Sequence, residues 1–268
     1  MQRFEGEDIE MHSSGHYPSA PPHEVLKEIQ NDKEKASRTS GLWALIPGLA
    51  DKPDRQAFVV KVYTILLAQM IATVLFVSIA YNHPDFQTFV INNIGLFHVA
   101  WAVTFVIMIS LVCCKGTARS VPTNYILLGI FTLAESFMVA CITSFYDAAS
   151  VLTAAILALA VFLGLTVYAI RTEEDITMCG SLIWTCMFVS MAALLLFFIM
   201  RTSAMFLLLS VVMCVCVSIY VVYDTQIIIG GRKHELELDD YIVAALLLYT
   251  DLIMLFIYIL RILGSARD

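Results

Sequence analysis

The sequence predicts an all-α integral membrane protein, a bundle of seven transmembrane helices without a second folded domain. Of the 268 residues, 59% are hydrophobic and only 15% are charged, which is far from the composition of a soluble domain. From residue 58 onward the apolar residues fall into seven runs of about 19 to 25 residues. Each run can cross a hydrocarbon core of roughly 30 Å at a rise of about 1.5 Å per residue. Several connections are so short that consecutive helices are expected to be antiparallel neighbours.

The segment before the first run, residues 1–55, has a different composition. It is polar, contains prolines at positions 18, 21 and 22, and has a charge-rich stretch from Lys27 to Arg38. Such a segment cannot bury enough apolar area to offset the entropy of ordering. We therefore predict a disordered cytosolic tail over residues 1–55 and a membrane domain over residues 56–268. The first residues lack the apolar core of a cleavable signal peptide, so the first membrane helix is expected to act as the insertion signal.

The seven runs extend over residues 58–80, 94–114, 124–145, 148–170, 178–200, 204–229 and 241–263. Basic residues near their ends predict the orientation, because cytosolic loops are enriched in Lys and Arg. With a cytosolic N-terminus, that side receives eight basic residues: Lys52, Arg55, Lys61, Lys115, Arg119, Arg171, Arg232 and Lys233. The other side receives three: Arg201, Arg261 and Arg267. The N-terminus is therefore predicted in the cytosol and, after seven crossings, the C-terminus on the lumenal or outer side. A re-entrant segment at the sixth and seventh runs would instead return the C-terminus to the cytosol.

Composition and motifs exclude several function classes. The net charge is −7 and no basic stripe is present to hold phosphates, so nucleic acid is not an expected partner. The seven cysteines lie in or beside apolar runs without zinc-like spacing, so we expect them to be reduced. No nucleophile elbow, phosphate-binding loop or zinc-protease motif is present, which argues against an enzyme, and no cofactor is expected.

Three carboxylic acids lie inside the apolar runs. Glu135 is about eleven residues into the third run, close to the middle of the membrane. Asp224 and Asp251 lie in the sixth and seventh runs, at depths of roughly 9 and 15 Å from the cytosolic side. A charge at the bilayer centre costs a few kcal/mol, so such residues face the bundle interior and have a partner or a water path. All three are therefore candidate functional residues, with Glu135 as a pore or gate partner.

Asp224 and Asp251 are expected to form a pH-sensing pair. Their helices are sequential and antiparallel, and their depths differ by about one helical turn, so the two side chains can meet. At ~4 Å and an effective dielectric of ~20, two full charges would repel each other by about 4 kcal/mol. The pair would then share one proton and titrate as a coupled unit. Deprotonation would push the helices apart and expose oxygens that suit transient binding of a hard cation such as Ca²⁺.

The alternative interpretation is that each aspartate forms a hydrogen bond with a neighbouring hydroxyl or amide group and merely holds helices together. Asp224 also has a candidate partner of opposite charge. Arg119, between the second and third runs, lies within expected reach of Asp224 and would neutralise a carboxylate in a closed state. An ordinary positive loop residue explains Arg119 equally well.

Six stretches in one order resemble a known family. They are FVVKVYTILLAQM (58–70), VPTNYILLGIFTLAESF (121–137), TSFYD (143–147), FLGLTVYAIRTEEDIT (162–177), VYDTQ (222–226) and DDYIVAALLLYTDLIMLFIYILRIL (239–263). Together they span nearly all of residues 55–263. In this order they resemble the Bax inhibitor-1 superfamily, the transmembrane Bax inhibitor motif proteins, and particularly its lifeguard branch.

The resemblance implies a seven-helix fold with a central C-terminal helix, a Ca²⁺ leak pathway and, in animals, restraint of cell death. It also implies a pH-sensitive pair of membrane aspartates, which by motif are Asp224 in YDTQ and Asp251 in LYTDLI. Family members usually carry LYLD at the second motif. Thr250 is therefore a departure, and its hydroxyl beside the pair would change the proton affinity. A family arginine linked to the pair corresponds best to Arg119.

The leading hypothesis is a pH-sensitive calcium leak channel that modulates calcium homeostasis and inhibits apoptosis, with lipid and calcium as partners. The expected location is the endoplasmic reticulum or Golgi, with the plasma membrane as an alternative. The competing hypothesis is a non-conducting membrane scaffold that binds apoptosis-regulating membrane proteins or receptors. A seven-helix receptor is disfavoured, because the third run lacks a DRY-like end and the charge count places the N-terminus inside.

Overall fold

A computed structural model describes residue 27 and residues 52–178, 180–199 and 202–265. Within these ranges the chain forms helices and no strand. We number the long helices α1 (Pro53–Tyr81), α2 (Ile94–Cys113), α3 (Thr123–Thr143), α4 (Ala148–Arg171), α5 (Gly180–Ile199), α6 (Ser203–Ile229) and α7 (Tyr241–Ser265). Among the described residues, all of these except α5 are long and apolar enough to cross a membrane, and α5 contains a shorter apolar stretch, Gly180–Ala193. The predicted all-α membrane bundle is confirmed.

Helix α7 lies at the centre of this bundle and contacts α1, α3, α4 and α6. The rest of the protein buries 72% of the most apolar stretch of α7. The corresponding share is 56% for α3 and 28% or less for α1, α2, α4 and α6. The buried side chains of α7 include the polar Tyr249 and Asp251. Exposure of a polar group to lipid costs free energy. A helix that carries an acid in the middle of its span is therefore expected in the interior of the bundle. The expected central position of the last helix is confirmed.

Helix α1 begins at Pro53, earlier than the predicted start of the first run at residue 58 and inside the predicted tail. Proline suits the first helical turn, because its fixed φ is helical and its missing N–H is not needed there. The rest of the predicted tail, apart from residue 27 and residues 52–55, lies outside the described residues. The connections between the long helices are short and include two small helices, Phe86–Asn92 and Lys115–Arg119.

The connection between α6 and α7, residues 230–240, closes over the predicted cytosolic end of the bundle, and we call it the clasp. Arg55, in the first turn of α1, donates from Nη1 to the carbonyl oxygen of Leu236 at 2.8 Å. Its Nη2 pairs with the Glu235 carboxylate at 3.2 Å. Gly230 has φ +76°, and a Cβ there would lie 2.7 Å from Glu235 Oε2, so glycine alone leaves room for this pair.

The clasp also binds the connection between α4 and α5. The Arg232 guanidinium donates to the carbonyl oxygen of Thr172 at 2.5 Å, and the Lys233 amide donates to Asp175 at 3.1 Å. Burial acts to raise the pKa of Asp175, but hydrogen bonds from Thr177 and Lys233 outweigh it and lower the pKa. The carboxylate of Asp175 is thus occupied in holding the two connections together.

At the opposite end of the bundle, α7 packs against the connection between α3 and α4. Gly264 has no side chain, and a Cβ there would collide with the Tyr146 ring. Tyr81, the last residue of α1, donates its hydroxyl hydrogen to the carbonyl oxygen of Tyr146 at 3.0 Å. Helix α7 therefore runs without a break from the clasp to the other end of the bundle.

Candidate functional site

Two carboxyl groups meet inside the bundle, one from α6 and one from α7. Counting from the helix ends at about 1.5 Å per residue, Asp224 and Asp251 lie about 8 and 15 Å from the predicted cytosolic end. Their residues are only 7% and 9% exposed. The two carboxyl groups lie within interaction range of each other. Because ionised carboxylates offer only acceptors, a hydrogen bond between them would require a proton on one of the two groups.

The surroundings of this pair come from α5, α6 and α7. Tyr220, about one turn before Asp224, lies within electrostatic range of both carboxyl groups. Its hydroxyl donates to the carbonyl oxygen of Ile183 on α5 at 3.4 Å. Asp251 Oδ2 is buried and has no hydrogen-bond partner among the described residues. One oxygen of the pair is therefore available to a proton, a water molecule or a cation.

Glu135 lies apart from this pair, on the buried side of α3, and is 6% exposed. It lies within electrostatic range of Tyr249. The Tyr249 hydroxyl forms a hydrogen bond of 2.8 Å with Thr73 on α1, and Ser136 donates to the same Thr73 oxygen at 3.0 Å. The structure thus places Glu135 beside a chain of hydroxyls that joins α1, α3 and α7, and not in contact with the aspartates.

Sequence reasoning missed this chain of hydroxyls and a related contact. The Gln69 amide on α1 donates to the Thr132 hydroxyl on α3 at 2.9 Å. A signal was present, since Gln69 interrupts the apolar run LLAQMIA and a polar side chain within a membrane needs a partner. Which partner it has depends on helix packing, which the run itself does not encode.

Arg119 is not the partner of Asp224, and the expected contact is wrong. Its Nε and Nη2 atoms bind Asp240 in a two-point ion pair at 2.7 and 2.9 Å. Nη2 also lies 2.8 Å from Glu237, which Lys115 binds at 3.0 Å. The hydrogen bond with Asp240 raises the pKa of Arg119. Arg119 ends a small helix at the level of the clasp, so its ion-pair partners are acids of the clasp.

Thr250, the departure from the usual family motif, directs its hydroxyl into its own helix. Its Oγ1 donates to the carbonyl oxygen of Leu246, one turn earlier, at 2.9 Å. This is the common way in which threonine satisfies its hydroxyl within a helix. An effect of Thr250 on the neighbouring Asp251 therefore has to act through the position of the helix backbone.

Among the described residues, no group of three or more His, Cys, Asp or Glu side chains is arranged to hold a metal ion. The pair of aspartates offers four carboxyl oxygens, whereas Ca²⁺ takes six to eight oxygen ligands. A cation at this pair would need water or backbone oxygens to complete its shell. The site suits a passing ion better than a resident one.

Comparisons with known proteins agree with this architecture. The family model described as inhibitor of apoptosis-promoting Bax1 matches residues 55–268. Protein lifeguard 3 of Mus musculus is 32% identical over 263 residues, which cover 96% of this chain and 84% of the mouse protein. Protein lifeguard 3 of Homo sapiens is 32% identical over 222 residues, or 81% of this chain and 71% of the human protein. Protein lifeguard 4 of Mus musculus is 32% identical over 213 residues, or 80% and 87%.

Proposed function

The chain belongs to the Bax inhibitor-1 family of membrane proteins, and we propose that it is a pH-sensitive calcium leak channel. Membership of the family is consistent with an anti-apoptotic role. The observation that supports conduction is that the carboxyl groups of Asp224 and Asp251 are buried within interaction range of each other. Calcium is the permeant ion in this proposal, and the protein needs neither a catalytic residue nor a bound cofactor.

In the closed state, one proton is held between the two carboxyl groups. The protonated group donates to the ionised one, so the pair carries a single negative charge and α6 stays against α7. The clasp, tied to α1 through Arg55, closes the same end of the bundle. Fully buried side chains of α7, such as Leu248, pack in the interior of the bundle.

In the open state, the shared proton is lost. Two carboxylates ~4 Å apart at an effective dielectric of ~20 repel each other by about 4 kcal/mol, which favours separation of α6 from α7. The separated oxygens, together with the unpartnered Oδ2 of Asp251, then face a partly hydrated calcium ion. An incomplete ligand set keeps binding weak, as rapid passage requires. Calcium flux should therefore rise with pH.

The test is calcium flux in liposomes that contain the purified protein, measured across a range of pH. Wild type should conduct more at higher pH. Asp251→Asn keeps a hydrogen-bond donor toward Asp224 but cannot acquire the second charge, so its flux should lose most of the pH dependence. Asp224→Asn should behave in the same way, because the effect belongs to the pair.

The matched control is Asp239→Asn, the same chemical change at an exposed position of the clasp. It should keep the pH profile of wild type. If Asp251→Asn shows the same flux and the same pH profile as wild type, the pair does not control conduction. Glu135→Gln tests whether Glu135 takes part in conduction. Unchanged conduction in this variant would remove Glu135 from the proposed pathway.

A non-conducting scaffold is the second candidate function. The observation that favours it is the family description, which names an apoptosis-promoting protein as the object of inhibition. In this alternative, the tail and the lipid-facing helix surfaces bind other membrane proteins. Deletion of residues 1–50 distinguishes the two: loss of cell protection with intact calcium flux favours the scaffold.

The proposal includes a location and an orientation. We place the protein in the endoplasmic reticulum or Golgi membrane, with the N-terminus in the cytosol, on the basis of the eight basic residues on that side against three on the other. Protease protection of a tag at the N-terminus, in sealed microsomes, tests the orientation. A protected N-terminal tag would contradict it.

A further inference from the structure

Three hydroxyl groups from three helices converge inside the bundle. Tyr63 of α1 directs its hydroxyl toward those of Thr166 on α4 and Thr225 on α6. All three oxygens are buried, and none reaches a hydrogen-bond partner among the described residues. Thr166 and Thr225 are 7% and 0% exposed. The Tyr63 hydroxyl therefore lies near both threonine hydroxyls without a well-aligned hydrogen bond to either.

The two threonines also lack the hydrogen bond that a threonine hydroxyl usually donates to a backbone carbonyl oxygen of its own helix. Thr64, Thr153 and Thr250 each donate to the carbonyl oxygen four residues earlier, at 2.7, 2.6 and 2.9 Å. Thr166 and Thr225 make no such bond. Since buried polar groups almost always have a partner, two hydroxyls that turn away from their own helices indicate a shared partner between the helices.

A water molecule has the properties of this shared partner. Buried waters typically make about three hydrogen bonds to polar groups that otherwise lack partners. Each hydroxyl both donates and accepts, so three of them can satisfy the two donors and the acceptors of one water. Three neutral oxygens are too few, and too weakly charged, for a divalent cation. We propose that Tyr63, Thr166 and Thr225 bind one buried water molecule that joins α1, α4 and α6.

The water site is independent of the proposed channel, although it lies at a similar depth. Thr225 directly follows Asp224 on α6, and Thr166 lies five residues before the end of α4. At about 1.5 Å per residue, both threonines are roughly 6 to 8 Å from the predicted cytosolic end. The site would hold water at the level of the carboxyl pair even in a protein that conducts no ions.

The experiment is hydroxyl-radical footprinting by X-ray radiolysis of the full-length protein in lipid nanodiscs. Radicals formed from a bound water modify the side chain beside it, even when that side chain is buried. Tyr63 should therefore be modified several-fold faster than Tyr249, whose hydroxyl is bonded to Thr73 and which is 0% exposed. Because the Tyr63 side chain is partly exposed and only its hydroxyl oxygen is buried, substitutions that remove the water decide whether the water is the cause. Thr166→Val with Thr225→Val keeps the shape but removes two partners of the water, and should lower the Tyr63 rate several-fold.

The control is Thr73→Val, which removes a hydroxyl that already has a protein partner and should leave the Tyr63 rate unchanged. Thr225→Ser, which keeps the hydroxyl, should retain fast modification, and Thr225→Val alone should reduce it. These single variants decide the matter if the double variant does not fold. Modification of Tyr63 no faster than that of Tyr249, or a rate that the valine substitutions do not change, would overturn the water site.

Discussion

Replacement of Arg55 by methionine tests how strongly the clasp closes the predicted cytosolic end of the bundle. Arg55 is 8% exposed, donates to the carbonyl oxygen of Leu236 at 2.8 Å, and pairs with the half-exposed Glu235 at 3.2 Å. Its guanidinium also lies 5.2 Å from the ring centroid of Phe58. Methionine keeps the apolar stem and removes these contacts, together with a long hydrogen bond of 3.5 Å to the carbonyl oxygen of Ile228.

The size of the effect follows from these contacts. The hydrogen bond from a charged donor contributes about 1.5–3 kcal/mol, the half-exposed ion pair at most ~1, and the ring contact ~0.5–1. Their sum is roughly 2–5 kcal/mol of unfolding free energy. In a chain of this size, a loss of ~3 kcal/mol lowers Tm by roughly 6–12 °C.

The assay uses the protein's own cysteines. Cys141, Cys186 and Cys216 are buried, at 3%, 4% and 5% exposure, so a maleimide that fluoresces on reaction reports unfolding in detergent. Cys113 and Cys114 are exposed and react at once, which sets the baseline. The midpoint of the later rise in fluorescence on heating gives Tm.

The matched control is Arg171→Met, the same substitution at an exposed arginine that ends α4, where a change below about 2 °C is expected for a surface site. Arg55→Lys keeps the charge but loses the two-pronged geometry, so its Tm should fall between those of wild type and Arg55→Met. If Arg55→Met and Arg171→Met shift Tm by the same small amount, Arg55 does not hold the clasp to α1.

Two further predictions concern the ends of the bundle. Gly264→Ala places a methyl group against a packed tyrosine ring and should lower Tm, whereas Gly129→Ala, in a helical position with open space, should leave Tm unchanged or raise it, as measured by the same heating assay. Hydrogen bonds from Lys115 and then Arg119 lower the pKa of Glu237 below its ordinary value of 4.5. A lowered carboxyl pKa stabilises the folded state at pH above the unfolded value, and this stabilisation is lost as pH falls through the folded value. The Tm of Glu237→Gln should therefore lie below that of wild type at pH 6 to 7, and the difference should shrink as the pH falls below 4.5 and through the lowered pKa of Glu237. A difference that does not change on acidification would contradict the pairing.

Much of the candidate site was predictable because depth in a membrane is a local property. Each helical residue adds about 1.5 Å, so the distance of Asp224 or Asp251 from a helix end follows from counting. The short connection between the last two helices makes them neighbours. Together these facts bring the two acids to similar depths, and the structure buries their carboxyl groups within interaction range of each other.

The partners of Arg119 and the chain of hydroxyls at Thr73 were not predictable in the same way. Arg119 lies in a connection whose small helix, Lys115–Arg119, is not marked by any apolar run. Its binding to Asp240 depends on where the clasp folds. Thr73, like Thr225, shows in the sequence only as a polar residue within an apolar run, which predicts that it needs a partner but not which one.

The sequence by itself determined that this protein is a seven-run membrane chain with acids at defined depths, since span length and burial in lipid depend on composition along one helix. The tertiary structure decided which side of each helix faces the interior and which polar groups meet there. The physical reason is that lipid is as apolar as the side chains that face it, so these helices lack the polar outer face that orients helices in water. Their rotation is set instead by packing and by the few polar contacts between helices, and those appear only once all the helices are in place.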